Sequence, residues 1–155
     1  MADLIVAYTL STGAGTIVFN NGNLKDGTDK YWIQTINGLD GPVIRAPVDN
    51  RPMLDGGIVH DFWKGPRHPV FNGVILIESV SLDGCQGVRD DMEDDLRDAL
   101  DSILRADGTL SWTPTNGGGT RSLTVRYEVP VDFQPIEDYA LDSFTFGLIA
   151  ADPDW

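Results

Sequence analysis

His60, Asp61 and His68 are the side chains of this sequence that could hold a metal, since imidazole and carboxylate are the usual zinc and iron ligands. Their spacing fits no metal motif. His60 and Asp61 are consecutive in an expected strand and so point to opposite faces, while His68 stands between Arg67 and Pro69 in an expected turn. Cys85 with either histidine could form a nucleophile and its base, because a thiolate at neutral pH needs a neighbouring imidazole. Its setting, Asp83-Gly84-Cys85-Gln86-Gly87, reads instead as a turn holding a small residue. The serines lack the Gly-x-Ser-x-Gly elbow of hydrolases. The acids Asp90, Asp91, Glu93, Asp94, Asp95 and Asp98 offer a hard cation its ligands but not the EF-hand loop with its central glycine, so they read as a solvated face. Gly13-Ala14-Gly15 and Gly38-Leu39-Asp40-Gly41 read as turns, because a phosphate cradle needs a strand before it and a helix opening after it. Trp32, Trp63, Trp112 and Trp155 could stack on sugars, but they read as core or interface anchors. The expectation is no enzyme, no metal and no cofactor.

Composition narrows the class. The 155 residues are 41% hydrophobic and 23% charged, enough apolar material for one packed domain. A net charge of −13 argues against gripping nucleic-acid phosphates or an anionic membrane surface. The charge is also lopsided: no lysine follows Lys64, and the 29 residues after Arg126 carry seven acids and no base. One cysteine allows no internal disulfide, which suits a reducing compartment. The early apolar stretch Leu4 to Tyr8 is too short for a signal-peptide core or a membrane helix, so a soluble, non-secreted protein is expected.

The elements that would carry these residues are mostly strands. Seventeen glycines and nine prolines are spread through the chain as turn signals, with short apolar runs between them. Strands are predicted at Thr16 to Asn20, Tyr31 to Ile36, Val43 to Val48, Ile58 to Trp63, Val70 to Val80, Thr109 to Thr113, Arg121 to Phe133 and Phe144 to Ala150. In the segment from Leu123 to Phe133, apolar residues alternate with polar ones, so one face should be buried and the other wet. Pro130 cannot donate a ladder hydrogen bond and predicts a bulge, an end or a sheet edge there. Val74-Ile75-Leu76-Ile77 is apolar on both faces and predicts the centre of the core. The spacing of Val88, Met92, Leu96, Leu100 and Leu104 predicts one amphipathic helix over residues 88–106, stopped by Asp107-Gly108. Asn116-Gly117-Gly118-Gly119 predicts a hairpin loop. The expected fold is mainly β (α+β), a two-sheet β-sandwich-like domain with one amphipathic α-helix and a β-hairpin.

Ile36-Asn37-Gly38-Leu39-Asp40-Gly41-Pro42, then Arg45, Asp49-Asn50-Arg51 and Asp55-Gly56-Gly57, resembles the opening of the siphophage-type distal tail (Dit-like) proteins. Trp63-Lys64-Gly65-Pro66-Arg67 followed by Phe71-Asn72-Gly73-Val74-Ile75 looks like that family's turn into its long strand. The amphipathic helix, Asp107-Gly108-Thr109-Leu110-Ser111-Trp112, a hairpin and the ending Phe146 to Pro153 follow in the family's order. The resemblance covers about residues 31–153 and lies in the order of many short matches. It implies a ring-forming belt domain and a structural virion component: six copies in a ring that connects the tail tube to the tail tip, with tail-tube and tail-tip hub proteins as partners. DNA would be present only in transit, no membrane partner is implied, and the location would be the virion tail after assembly in the host cytoplasm. Many members carry a further C-terminal module, whereas this sequence stops at Trp155, so residues 1–155 are expected to be one ring-forming domain.

The negative charge suits an acidic channel that does not hold passing DNA. Ring closure is expected through sheet edges, with Leu123, Val125, Trp63 and Trp155 as the subunit-interface candidates. The alternatives are another tail ring protein (tail-tube subunit, terminator or connector) or a non-viral glycan-binding β-sandwich that would expose Trp32, Trp63 or Trp112 in a groove.

Overall fold

The computed structural model describes residues 6–22, 26–39, 44–45, 48–50, 57–59, 63–79, 82–115, 118–135 and 141–151. In chain order the elements are β1 (Tyr8–Thr12), β2 (Gly15–Phe19), β3 (Lys30–Asn37), β4 (Ile44–Arg45), β5 (Val48–Asn50), β6 (Gly57–Val59), β7 (Trp63–Lys64), β8 (Val70–Leu76), α1 (Leu82–Ser102), β9 (Gly108–Trp112), β10 (Arg121–Pro135) and β11 (Leu141–Ile149). The chain is thus mainly β with one helix. Seven strands close into a barrel in the order β1-β2-β3-β8-β11-β10-β9, and β4–β7 and β5–β6 form two small antiparallel pairs.

Barrel closure is where the architecture departs from the expected pair of facing sheets. It depends on β1, a strand that the sequence reading did not separate from its flanks. The β1–β2 hairpin places Leu10 opposite both Ile17 and Leu110, so β9 pairs with β1 on one side and with β10 on the other. No edge is left between the two ends of the sheet.

The seam between β2 and β3 is narrow. These strands run parallel and meet at Phe19 and Tyr31 alone. Asn20 completes the closure: its amide donates to the Tyr31 carbonyl (2.9 Å) and its Oδ1 accepts from the Ile33 amide (2.7 Å). Asn20 has φ 58°, a left-handed conformation that asparagine tolerates better than most residues. Asn20→Ala would orphan a buried amide and retain the backbone strain, so it should destabilise the fold by about 2 kcal/mol. A urea titration checks this; an unchanged midpoint would show that the seam closes without the side chain.

Strand alternation fills the interior. Leu10, Phe19, Phe71, Ile75, Leu110, Leu123, Val125, Phe144, Phe146 and Leu148 are buried in one cluster. Phe71 stacks on Phe146 at 4.9 Å, and Phe19 lies within ring contact of both. β8 is central, between β3 and β11, as its doubly apolar run predicts. In β10 the register with β11 shifts between Tyr127 and Val129 and again between Val129 and Asp132, placing the bulges around Pro130.

The helix begins earlier and ends sooner than its apolar spacing suggests. It starts at Leu82, so the segment read as a turn around Cys85 is its first turns, and Cys85 extends the buried stripe backward. Glycine's poor helix propensity at Gly84 and Gly87 is outweighed by packing of that stripe. At the far end Ile103 and Leu104 donate to the carbonyls three residues back, Leu100 and Asp101, which tightens and stops the helix. Leu104, expected in the stripe, is 55% exposed. The Ile103 carbonyl instead accepts from the Tyr127 amide and fastens the helix end to β10. α1 packs on β1, β2 and β10 through Leu96, Ala99, Leu100 and Ile103.

Candidate assembly surface

Among the described residues, those singled out for chemistry do not assemble into a site. His68 is exposed, and its Nδ1 pairs with Glu128 at 2.8 Å. Cys85, in the first turns of α1, is buried in the core, a packing position. His60 and Asp61 lie outside the described residues. Among the described residues no three histidine, cysteine or acidic side chains group as metal ligands. A recess of about 260 Å³ beside the β2–β3 seam is lined by Val6, Tyr8, Asn20, Ile33, Gln34 and Leu39 among others. Its described lining offers no carboxylate, imidazole or thiol for acid–base or nucleophilic work.

The aromatic and interface candidates also sort by position. Trp32 and Trp112 are buried, so neither offers a face for stacking on a sugar, and the exposed-groove expectation of the glycan-binding alternative is corrected for both. Trp63 lies in β7, paired with Arg45, and Trp155 lies outside the described residues. Leu123 and Val125 are 2% and 1% exposed and belong to this chain's own core. Their side chains hold β10 in the barrel.

Among the described residues, the second half of β10 builds an open surface. From Arg121 to Val125 this strand has β9 on one side; from Arg126 onward it pairs with β11. Beyond β9 the vacated side is met by the end of α1, through the Tyr127–Ile103 hydrogen bond and the Arg97 guanidinium stacked 4.7 Å over the Phe133 ring. Tyr127, Val131 and Phe133 turn toward the core, and Glu128, Pro130, Asp132 and Gln134 are exposed. Val129 is 42% exposed at the bulge, where its methyl groups occupy the space that a side chain at Gly147 would need. Leu104, exposed at the helix end, flanks the same junction. A one-sided strand with one exposed apolar residue of its own and another at the adjoining helix end is a surface that strand pairing or packing could cover.

Charge is concentrated beside it. The outer face of α1 presents Asp90, Asp91, Asp94, Asp95, Asp98 and Asp101 to solvent, whereas Asp107 is exposed but paired with Arg126 at 2.7 Å. The sequence pattern locates this acidic face except at Glu93, whose side chain is only 16% exposed. The sequence gives no sign that Arg67, placed in an expected turn, is buried. Arg67 exchanges backbone hydrogen bonds with Ala150 (2.9 Å each) and donates from Nη1 to the Leu39 carbonyl at 2.8 Å, tying the β7–β8 connection to the end of β11.

No family model and no curated protein matches the sequence. Solved structures do match it. The SPP1 Dit protein, described as a paradigm of the hub adsorption apparatus in phages that infect Gram-positive hosts, superposes with a TM-score of 0.58 at 14% identity. That match covers 94% of this chain and 50% of the SPP1 protein. The phage p2 baseplate in its activated conformation superposes with a TM-score of 0.58 at 12% identity, covering 97% of this chain and 45% of that one. The fold is that of phage Dit and baseplate proteins. The chain spans about half the length of these structures. At such low identity the shared property is the fold alone, and no residue role transfers with it.

Proposed function

We propose that this chain is a structural component of a long-tailed phage, a distal tail protein whose copies close into a ring of six between the tail tube and the tail tip. The observation that carries the reading is the superposition of 94% of the chain on a phage hub protein, and it agrees with the independent resemblance in motif order. A one-sided strand flanking the barrel, from Arg126 onward in β10, also suits assembly. In this reading residues 1–155 act as one ring-forming unit, and tail-tube and tail-tip proteins are the neighbours above and below. The place of action is the virion tail, after assembly in the host cytoplasm.

The subunit contact runs through β10, the strand on which Leu123 and Val125 were placed as interface candidates. Its exposed positions Val129 and Pro130, with Leu104, would meet the neighbour, while Leu123 and Val125 keep the strand in register. Trp63 and Trp155 remain candidates for the same contact. The acidic face of α1 is assigned to the central opening, where carboxylates give DNA phosphates no favourable contact and DNA passes without being held.

Native mass and negative-stain imaging across a concentration series test the ring. Six copies of the 16.9 kDa chain weigh about 101 kDa and should appear as closed discs. A monomer at every concentration, or open filaments, contradicts the proposal. Val129→Arg and Leu104→Glu change exposed residues and should leave the melting temperature within about 2 °C while shifting the population to monomer. Rings that persist in both variants would move the contact off this junction.

A further inference from the structure

Asp142 presents an unusual arrangement. It is the second residue of β11, with 0% exposure, and neither carboxylate oxygen meets an N–H or hydroxyl donor among the described residues. The register explains its position. Tyr31, Ile75 and Asp142 stand side by side across β3, β8 and β11, and Ile75 is fully buried, so the aspartate shares the inward face. A buried carboxylate with no donor is costly, and such groups are normally satisfied.

The helix brings a candidate partner to this row. The Tyr31 hydroxyl donates to the Met92 carbonyl at 2.6 Å, which brings the adjoining turn of α1 over this row. Glu93 follows Met92, and its side chain is only 16% exposed. Ionised, Glu93 could offer Asp142 nothing but repulsion; protonated, it becomes a hydroxyl donor. We infer that Glu93 and Asp142 share a single proton, and that this proton holds α1 against the end of the barrel.

The surroundings agree. On α1, the Arg97 Nη2 is 3.8 Å from Glu93 Oε2, and Arg89, one turn earlier, has its Nε buried without an acceptor among the described residues. These cations draw the glutamate toward ionisation. From β3 comes the Tyr31 phenol, which burial and the charge of Asp95 hold above its ordinary range, so it stays a donor committed to Met92. From β8 the row contributes Ile75, and from β10 come Phe133, which stacks with Arg97, and Tyr127, which burial also raises. Burial, the hydrogen bond to Asp142 and the Asp142 charge outweigh the two arginines and push Glu93 up to about 7.

The sign of the pH dependence follows. The folded chain holds the Glu93 proton more tightly than the unfolded chain, so the stabilisation is complete below the ordinary value near 4.5 and is lost as pH rises through about 7. Loosening begins where Glu93 of α1 faces Asp142.

Carboxyl carbon NMR of the native chain tests the pair directly. A Glu93 resonance titrating near neutrality supports it, and a single midpoint near 4.5 overturns it. Thermal melts give a second readout: the native protein should lose roughly 5 °C between pH 5 and pH 8. Glu93→Gln carries a permanent amide donor and should remove that loss, because Asp142 then keeps a partner at every pH. A Glu93→Gln protein whose melting falls with pH as steeply as the native one rejects the shared proton. Asp142→Asn should return the Glu93 midpoint toward 4.5, and should this variant not fold, the native titration and Glu93→Gln still decide.

Discussion

Gly73→Ala should destabilise the chain by about 3 kcal/mol and lower its melting temperature by roughly 6–12 °C, although it adds a single methyl group. Gly73 lies in the central strand β8, opposite Ile33 on one side and Phe144 on the other. A Cβ there would overlap the Trp32 carbonyl oxygen and stand 2.7 Å from Phe144 Cζ and 3.1 Å from Ile33 Cα. Two of these atoms are backbone and cannot swing away. β3 also carries an irregular step between Ile33 and Thr35, so its backbone passes close to β8 at this point. Gly87→Ala sets the opposite expectation. Its Cβ meets nothing within 4 Å in the exposed face of α1, and the better helix former should stabilise by about 0.5–1 kcal/mol. Guanidinium melts of both variants check the pair of signs; a neutral Gly73→Ala would mean that β3 and β8 can separate freely.

Leu123→Asp should have the larger effect, about 4–5 kcal/mol, a large share of the 5–15 kcal/mol that ordinarily separates a folded domain from its unfolded chain. Leu123 is 2% exposed and sits opposite Leu110 in the β9–β10 ladder, inside the barrel. The substitution removes a buried apolar side chain and puts a carboxylate opposite Leu110 in the barrel interior. The expected result is an unfolded or aggregating chain by near-ultraviolet circular dichroism, before any assembly step is reached. This outcome separates a core position from a contact position. Native spectra together with lost oligomers would place Leu123 on an outer surface after all. The contrast with Val129→Arg, on the same strand but 42% exposed, then distinguishes folding from assembly.

The alternating segment from Leu123 to Phe133 was readable because a period of two needs no knowledge of partners, and its inward residues are those the alternation selects as far as the bulges. Pro130 announced the irregularity because a missing N–H is a property of the residue alone. The central position of Val74 to Ile77 followed from a run with no wet face. The helix was readable in its middle and not at its ends. Two glycines at Gly84 and Gly87 mask a start that tertiary packing of Cys85 enforces, and Leu104 continues the apolar spacing beyond the turn at which the Ile103 carbonyl is captured by β10.

Composition and periodicity were sufficient for a mainly β chain with one acidic, amphipathic helix, because those properties repeat every two or four residues and are written locally. Closure of the sheet was not legible, since it depends on β1 finding β9 and on Asn20 bridging a seam where two parallel strands touch at one residue pair. The same holds for Leu123 and Val125, whose apolar character suited a contact with a neighbour as well as a core until the barrel enclosed them. The Glu93–Asp142 pair lies at the far end of this scale. Each acid looks solvated in sequence, and only the row of Tyr31, Ile75 and Asp142 beneath Met92 brings them together, because burial and proximity are properties of the folded path and not of residue type.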